Sequence, residues 1–145
     1  MQNWGVPERG DAAADAAIRE VMVGYCRCVD TFDDETLLEL FTQDGEWARP
    51  GQQPLRGRVQ IAEFLRTRDR AVTMRHILSN LIVDVKGPQQ ATALCYWTVL
   101  KAAPDGAPAQ ALVPFAMGEY HDDFRLEQGR WRIARRETRF VFRSA

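Results

Sequence analysis

Three observations in the sequence predict an α+β domain in which three N-terminal helices lie against a strongly curved, mostly antiparallel sheet. From Asp11 to about residue 65 the apolar residues recur at three- and four-residue steps, as on helices. From Arg75 onward they alternate instead, as on half-buried strands. Turn residues separate the alternating runs, so the strands follow one another with few long connections. Helices first and strands afterwards is the order of an α+β fold, with the helices gathered on one face of the sheet.

The elements follow in order. Residues 1–11 mix Gly, Pro and charge and read as a flexible tail, which leaves 12–145 as a single domain. Ile18, Val21, Met22, Tyr25 and Val29 form an apolar stripe on a helix ending near Asp30. Asp33 or Asp34 can cap a second helix, DDETLLELF, which stops before QDG. EWARP reads as a short strand broken at Pro50 and Gly51, and the LRGR turn leads into a third helix carrying Val59, Ile61, Ala62, Phe64 and Leu65. Strand character then occupies 75–85, 90–101, 111–126 and 130–142. KGPQQ is a turn, APDGAPAQ a longer loop and EQGR a tight hairpin turn. Three helices across one face of such a curved sheet would enclose a pocket.

Composition narrows the function. A chain of 145 residues, 46% hydrophobic and 27% charged, builds one sizeable core. Lys+Arg 19 against Asp+Glu 20 gives a net charge of −1, so no bulk field draws in nucleic acid or an anionic membrane. The basic segment RWRIARRETRFVFR alternates with apolar residues and reads as the polar face of a strand rather than a phosphate track. Cys26 and Cys28 lie two apart on the first helix and point to different sides, which suits neither a disulfide nor a zinc site. With Cys95 they read as reduced, buried thiols of a cytoplasmic protein. The N-terminal stretch lacks the basic and apolar regions of a signal peptide, and no apolar run approaches the length of a membrane span. Two distant histidines, no carboxylate cluster at ligand spacing, no P-loop and no dinucleotide fingerprint point to chemistry without a metal or cofactor.

One residue interrupts this ordinary pattern. The run RHILSNLIVDV places His76 at the head of an otherwise apolar, β-branched strand. Such a histidine either satisfies itself on nearby backbone or works with a partner. Asp30 is the candidate partner: a carboxylate at a helix C-terminus faces the negative end of the dipole, an arrangement typically unfavourable by roughly 0.3–1 kcal/mol. Because Asp33 and Asp34 can cap the next helix, Asp30 is free either for a turn hydrogen bond or for His76. Strand parity puts Cys95, Trp97 and Val99 on the inward face, where Trp97 is a core or a pocket residue. Parity with His76 also makes Asn80 a candidate for the pocket. Phe115, Met117, Tyr120 and Phe140 read as core or ligand contacts, whereas His121 takes the face opposite Tyr120, toward solvent or a subunit contact.

The segments GYCRCVDTFDDETLLELFTQDGEWARP, LRGRVQIAEFL, RHILSNLIVDV and GEYHDDFRLEQGRWRIARR together resemble the SnoaL-like branch of the nuclear-transport-factor-2-like (NTF2-like) superfamily. The resemblance covers about residues 12 to 142 and implies a cone-shaped fold. Dehydratase and dehydrochlorinase members use an Asp–His dyad, with the Asp at the end of the first helix and the His at the start of the first long strand. Those positions match Asp30 and His76. By the same resemblance, DGEW supplies a pocket tryptophan in Trp47, and the tyrosine five residues before the aspartate is Tyr25. A late-strand arginine matches Arg136, with Arg139 as the alternative if the strand slips. The chain departs from ketosteroid isomerase, whose general-base aspartate falls on Arg49. It departs from scytalone dehydratase too, whose second histidine falls on Trp97.

The dyad has its own logic. A carboxylate bonded to one imidazole nitrogen fixes the tautomer, leaves the other nitrogen facing the pocket as a base, and stabilises the imidazolium that forms. The expectation is a lyase or isomerase that takes a proton from a hydrophobic cyclic small molecule, with catalytic His76, Asp30, Tyr25 and Arg136. Trp47, Trp97, Asn80, Phe115, Tyr120 and Phe140 would contact the substrate. Tyr25, Arg136 or the Trp47 indole N–H would bind the leaving group or a developing oxyanion. The resemblance also leaves open a non-catalytic small (β) subunit of a ring-hydroxylating dioxygenase, or a binding module using the same pocket. A homodimer or homotrimer is expected, because helices cover only one face of an apolar sheet.

Overall fold

The computed structural model describes residues 11–102 and 114–144. Its helices are α1 (Ala12–Thr31), α2 (Asp34–Glu39) and α3 (Gly57–Arg66), and its strands are β1 (Phe41–Ala48), β2 (Leu55–Arg56), β3 (Met74–Val85), β4 (Gln90–Lys101), β5 (Ala116–Glu127) and β6 (Arg130–Arg143). One six-stranded sheet runs in the order β2-β1-β6-β5-β4-β3, antiparallel throughout except for the parallel β1–β6 pair. This is the predicted α+β cone, with an unclosed, curved sheet. Residues 1–10 of the expected tail and the APDGAPAQ loop lie outside the described residues, while Asp11, expected in the tail, belongs to the start of the first helix.

The first helix is set by its ends. Asp11 caps it, its carboxylate accepting the N–H groups of Ala13 and Ala14. Phe32 closes it in the left-handed region, with φ 57°, donating its N–H to the Cys28 carbonyl. Between them Ala14, Ile18, Met22, Tyr25 and Cys26 form the buried stripe that packs toward β3 and β6. Burial of side chains such as Ile18 and Met22 contributes about 1.5–3 kcal/mol each. Asp33 caps α2 through the Thr36 N–H, so of the two candidates the first is used.

Two boundaries differ from the sequence reading. The second helix ends at Glu39 rather than running through Phe41, and β1 extends from Phe41 rather than covering EWARP alone. The cause is tertiary: the Ile133 N–H donates to the Leu40 carbonyl and Phe41 pairs with Ile133, so β6 captures this segment as strand. Val59, expected on the apolar face of α3, is 71% exposed, while Ile61 and Leu65 are buried. The predicted strand at 111–126 begins at Ala116; 111–113 lie outside the described residues.

Bulges bend the sheet. The β3–β4 register slips between Ser79 and Ile82, and Asn80 sits there with φ 53°. Further register shifts lie in the β5–β6 pair beside Gly118 and Phe124, and in β1 between Phe41 and Glu46. At the EQGR turn, Gln128 and Gly129 have φ 52° and 74°, the two left-handed positions a type I′ hairpin requires.

Candidate active site

The concave side of the sheet, α1 and α3 enclose a cavity of about 540 Å³, of the size that holds small organic ligands. His76 lies in its wall near the start of β3, and Asp30 reaches it from the last turn of α1. The His76 Nδ1 and Asp30 Oδ1 are 2.6 Å apart, and Asp30 Oδ2 accepts the His76 main-chain N–H at 2.8 Å. A carboxylate can only accept, so the Nδ1 carries the proton in this pair and Nε2 is the free, basic nitrogen. Both side chains are largely shielded, at 10% and 7% exposure, which strengthens the interaction relative to one in water.

Tyr25 and Asp30 are both on α1, five residues and about 140° apart around the axis. The helix runs on through Thr31, so the two project differently. Asp30 goes to His76, while Tyr25 enters an aromatic cluster, its ring edge-on to Phe41, Trp47 and Tyr120 at 5.7–6.2 Å. Tyr25 also lines the cavity. Burial pushes its hydroxyl well above the usual range against the pull of Arg136, so it stays a neutral donor.

Arg136 is fully buried behind this cluster. Its guanidinium makes a two-point contact with Asp122, Nε to Oδ1 at 2.8 Å and Nη2 to Oδ2 at 2.6 Å. The same group packs over the rings of Tyr25 and Tyr120, 4.0 and 4.1 Å from their centroids. Arg136 does not line the cavity; it packs behind the two tyrosines that do. Arg139, the alternative, is exposed and bonded to Glu137.

The expected binding residues divide. Trp47, Trp97, Phe115, Tyr120 and Phe140 all line the cavity. Trp97 is buried, stacks on Tyr120 and takes Phe140 edge-on. The Trp47 indole N–H donates to Thr138 Oγ1 at 3.2 Å, so it is already engaged rather than free for a leaving group. Asn80 is a correction: it is exposed and does not line the cavity, because the bulge in β3 breaks the parity that linked it to His76. His121 takes the opposite face from Tyr120, as expected, and is bonded to Glu119 at 2.7 Å. Cys26, Cys28 and Cys95 are free and buried. Among the described residues no group of three His, Cys, Asp or Glu side chains is placed to hold a metal, and no helix is long and apolar enough to cross a membrane.

Three further residues were not singled out as site residues from sequence. Asp122 shares the parity of inward-facing Tyr120, so its burial had a signal, but nothing in the sequence announced its pairing with Arg136. Thr138 follows Arg136 at strand spacing. Arg49 lines the cavity with its guanidinium 4.0 Å from the Phe64 ring centroid, where sequence had offered only the loss of an aspartate.

A family model for the SnoaL-like domain matches residues 10–137. The chain belongs to the SnoaL-like domain family. Solved structures place this SnoaL-like domain among NTF2-like folds. An NTF2-like protein with a cystatin-like fold from Novosphingobium aromaticivorans is 27% identical, with a TM-score of 0.74 over 97% of this chain and 95% of that one. Two others from the same organism share the fold alone. A candidate scytalone dehydratase is 22% identical, with a TM-score of 0.76 over 91% of this chain and 87% of that one. The β subunit of a candidate aromatic-ring-hydroxylating dioxygenase is 20% identical, with a TM-score of 0.72 over 92% and 93%. No curated protein matches the sequence at a significant level.

Proposed function

We propose that this SnoaL-like domain is a cofactor-free lyase or isomerase of dehydratase type, acting on a hydrophobic cyclic small molecule with His76 as general base. The observation that carries this reading is the Asp30–His76 pair: a 2.6 Å contact that fixes the imidazole and leaves its second nitrogen free, on a histidine in the wall of a cavity rich in aromatic side chains. In the first step Nε2 takes a proton from a carbon beside a carbonyl or leaving group. The electron pair of that C–H bond becomes a new double bond. Either a leaving group then departs with its own bonding pair, a hydroxyl taking the proton back from the imidazolium to leave as water, or the proton is returned at a different carbon. Asp30 stabilises the imidazolium between these steps, and the neutral Tyr25 hydroxyl in the cavity wall is a candidate donor to charge developing on substrate oxygen.

General-base catalysis of this kind supplies about 10²–10⁴-fold. The deciding experiment measures turnover of cyclic hydroxy- and halo-ketones, with exchange of the abstracted proton followed by NMR in D₂O. Loss of both signals in His76→Gln, with the fold retained, supports the base. Unchanged exchange in that variant removes it. The fold shared with a dioxygenase β subunit supports a second, non-catalytic reading, in which co-purification with an iron–sulfur oxygenase subunit replaces turnover.

A further inference from the structure

We propose that the cavity takes an organic anion, a carboxylate on an apolar ring, and that Arg49 is the residue that selects it. This rests on the reading above only in taking the cavity as the ligand site.

Arg49 follows β1 directly and turns its guanidinium onto the face of Phe64, with Cζ 4.0 Å from that centroid and 5.8 Å from the Trp47 ring. No carboxylate among the described residues pairs with it, and its Nε is buried without a hydrogen-bond partner. Arg68, also in the cavity wall, shares a buried, unpartnered Nε, but its charge is answered by Asp34, whereas that of Arg49 is not. Burial draws the Arg49 pKa down from its usual value, the mark of a cation that has lost water and gained no counter-charge. Such a group is costly unless something answers it, and an incoming carboxylate would supply two acceptors matched to its planar fork.

The surrounding charge has the same sign. Lys101 and Arg143 line the cavity, packed on Phe115 and Phe140, and neither makes an ion pair among the described residues. Asp69 is the one carboxylate in the described wall, and one of its oxygens is held by the Ala71 N–H. Cations resting on aromatic rings around an apolar space match a ligand that is a flat ring with an acid on it. Arg49 is therefore a specificity residue, distinct from the proton-moving dyad.

The test compares 2-naphthoate with its neutral isostere 2-naphthamide, binding being read by calorimetry and by quenching of tryptophan fluorescence. Wild-type protein should bind the acid more tightly than the amide. Arg49→Gln should weaken acid binding by about 10–100-fold, the usual yield of a charge-assisted pair, and leave amide binding within about threefold. Arg49→Lys, which keeps the charge without the fork, should fall between and serves if the Gln variant does not fold. Equal binding of acid and amide by wild type, binding of neither, or an undiminished preference in both variants overturns the proposal. The His76→Gln protein should keep the acid preference intact. Acid selection without turnover would thus sink the enzyme reading alone, and His76-dependent turnover of neutral ketones without acid selection would sink this one alone.

Discussion

The Asp30 carboxylate engages His76 twice, taking the ring Nδ1–H on one oxygen and the main-chain N–H on the other. The second bond fixes where the carboxylate sits, and the first then fixes the plane of the imidazole. If the pair acts as one catalytic unit, His76→Gln should lose nearly all turnover and Asp30→Asn most of it. The double variant should be little worse than His76→Gln, because neither residue works without the other. Steady-state rates of the three variants, with circular dichroism to confirm folding, check this; additive losses would show two independent roles.

Arg136 and Asp122 are both at 0% side-chain exposure, so this pair tests stability rather than chemistry. Removing one partner strands the other as a buried charge, typically at a cost of about 3–5 kcal/mol. Arg136→Met and Asp122→Asn should each lower the melting temperature by roughly 10 °C or more. The combined Arg136→Met, Asp122→Leu protein should recover part of that loss, since neither charge remains to be desolvated. A double variant less stable than either single would show that the cation on the two tyrosine rings matters more than the ion pair.

The buried thiols give a pH prediction. Burial pushes Cys26 and Cys95 from an ordinary value of 9.0 up to about 12, and raises Cys28 as well. The native state then keeps protons that the unfolded chain has released. Stability should be level below about pH 8, where both states are protonated, and should fall as pH rises from about 9 toward 12. Thermal melts across that range measure it. In the native protein at pH 8 a disulfide reagent should label these three cysteines slowly, and quickly only after denaturation; rapid native labelling of Cys26 or Cys95 would contradict their protection.

Some of this was legible in the sequence and some was not, for identifiable reasons. The helix-then-strand order, the Asp33 cap and the EQGR turn are local signals, and each appears as expected. His76 stood out because polarity at the head of an apolar strand needs a cause. The end of α2 was misplaced because β6, more than ninety residues away, recruits Phe41 into the sheet. Asn80 breaks the expectation because parity holds only until a bulge, and the one local mark of it, an asparagine that tolerates the left-handed region, is too weak to place it. Arg49 could be seen only as a substitution until its neighbours Phe64 and Trp47 were in place.

The outer face of the sheet bears on assembly. It carries exposed Ile77 and Tyr96 on β3 and β4, beside an ion-paired region of Glu119, His121, Glu137 and Arg139 on β5 and β6. We expect a dimer or trimer that covers the apolar part, with the charged part supplying register. Light scattering at micromolar concentration should give a multiple of the 16.5 kDa chain, and Ile77→Asp should shift it toward monomer. A monomeric wild-type protein would leave these residues as ordinary surface.

Trp97 and Gly118 face each other across β4 and β5, and the indole occupies the space a side chain would need. A Cβ on Gly118 would lie 2.4 Å from the Trp97 ring and 1.9 Å from the Arg139 carbonyl, so neither the ring nor the backbone could stay where it is. Gly118→Ala should therefore destabilise the protein by roughly 1–3 kcal/mol, the usual cost of overpacking, and displace Trp97 into the cavity. Trp97→Phe removes ring volume instead and moves no catalytic proton. It should raise KM or change which ring sizes bind, while leaving kcat within about tenfold, the pattern of a lost uniform contact. In the combined variant the smaller Phe should relieve part of the Gly118→Ala strain, giving a coupling of about 0.5–3 kcal/mol between neighbours. Melting curves of the two singles and the double decide it: additive losses would mean that the Arg139 carbonyl, not the indole, is what excludes a side chain at position 118.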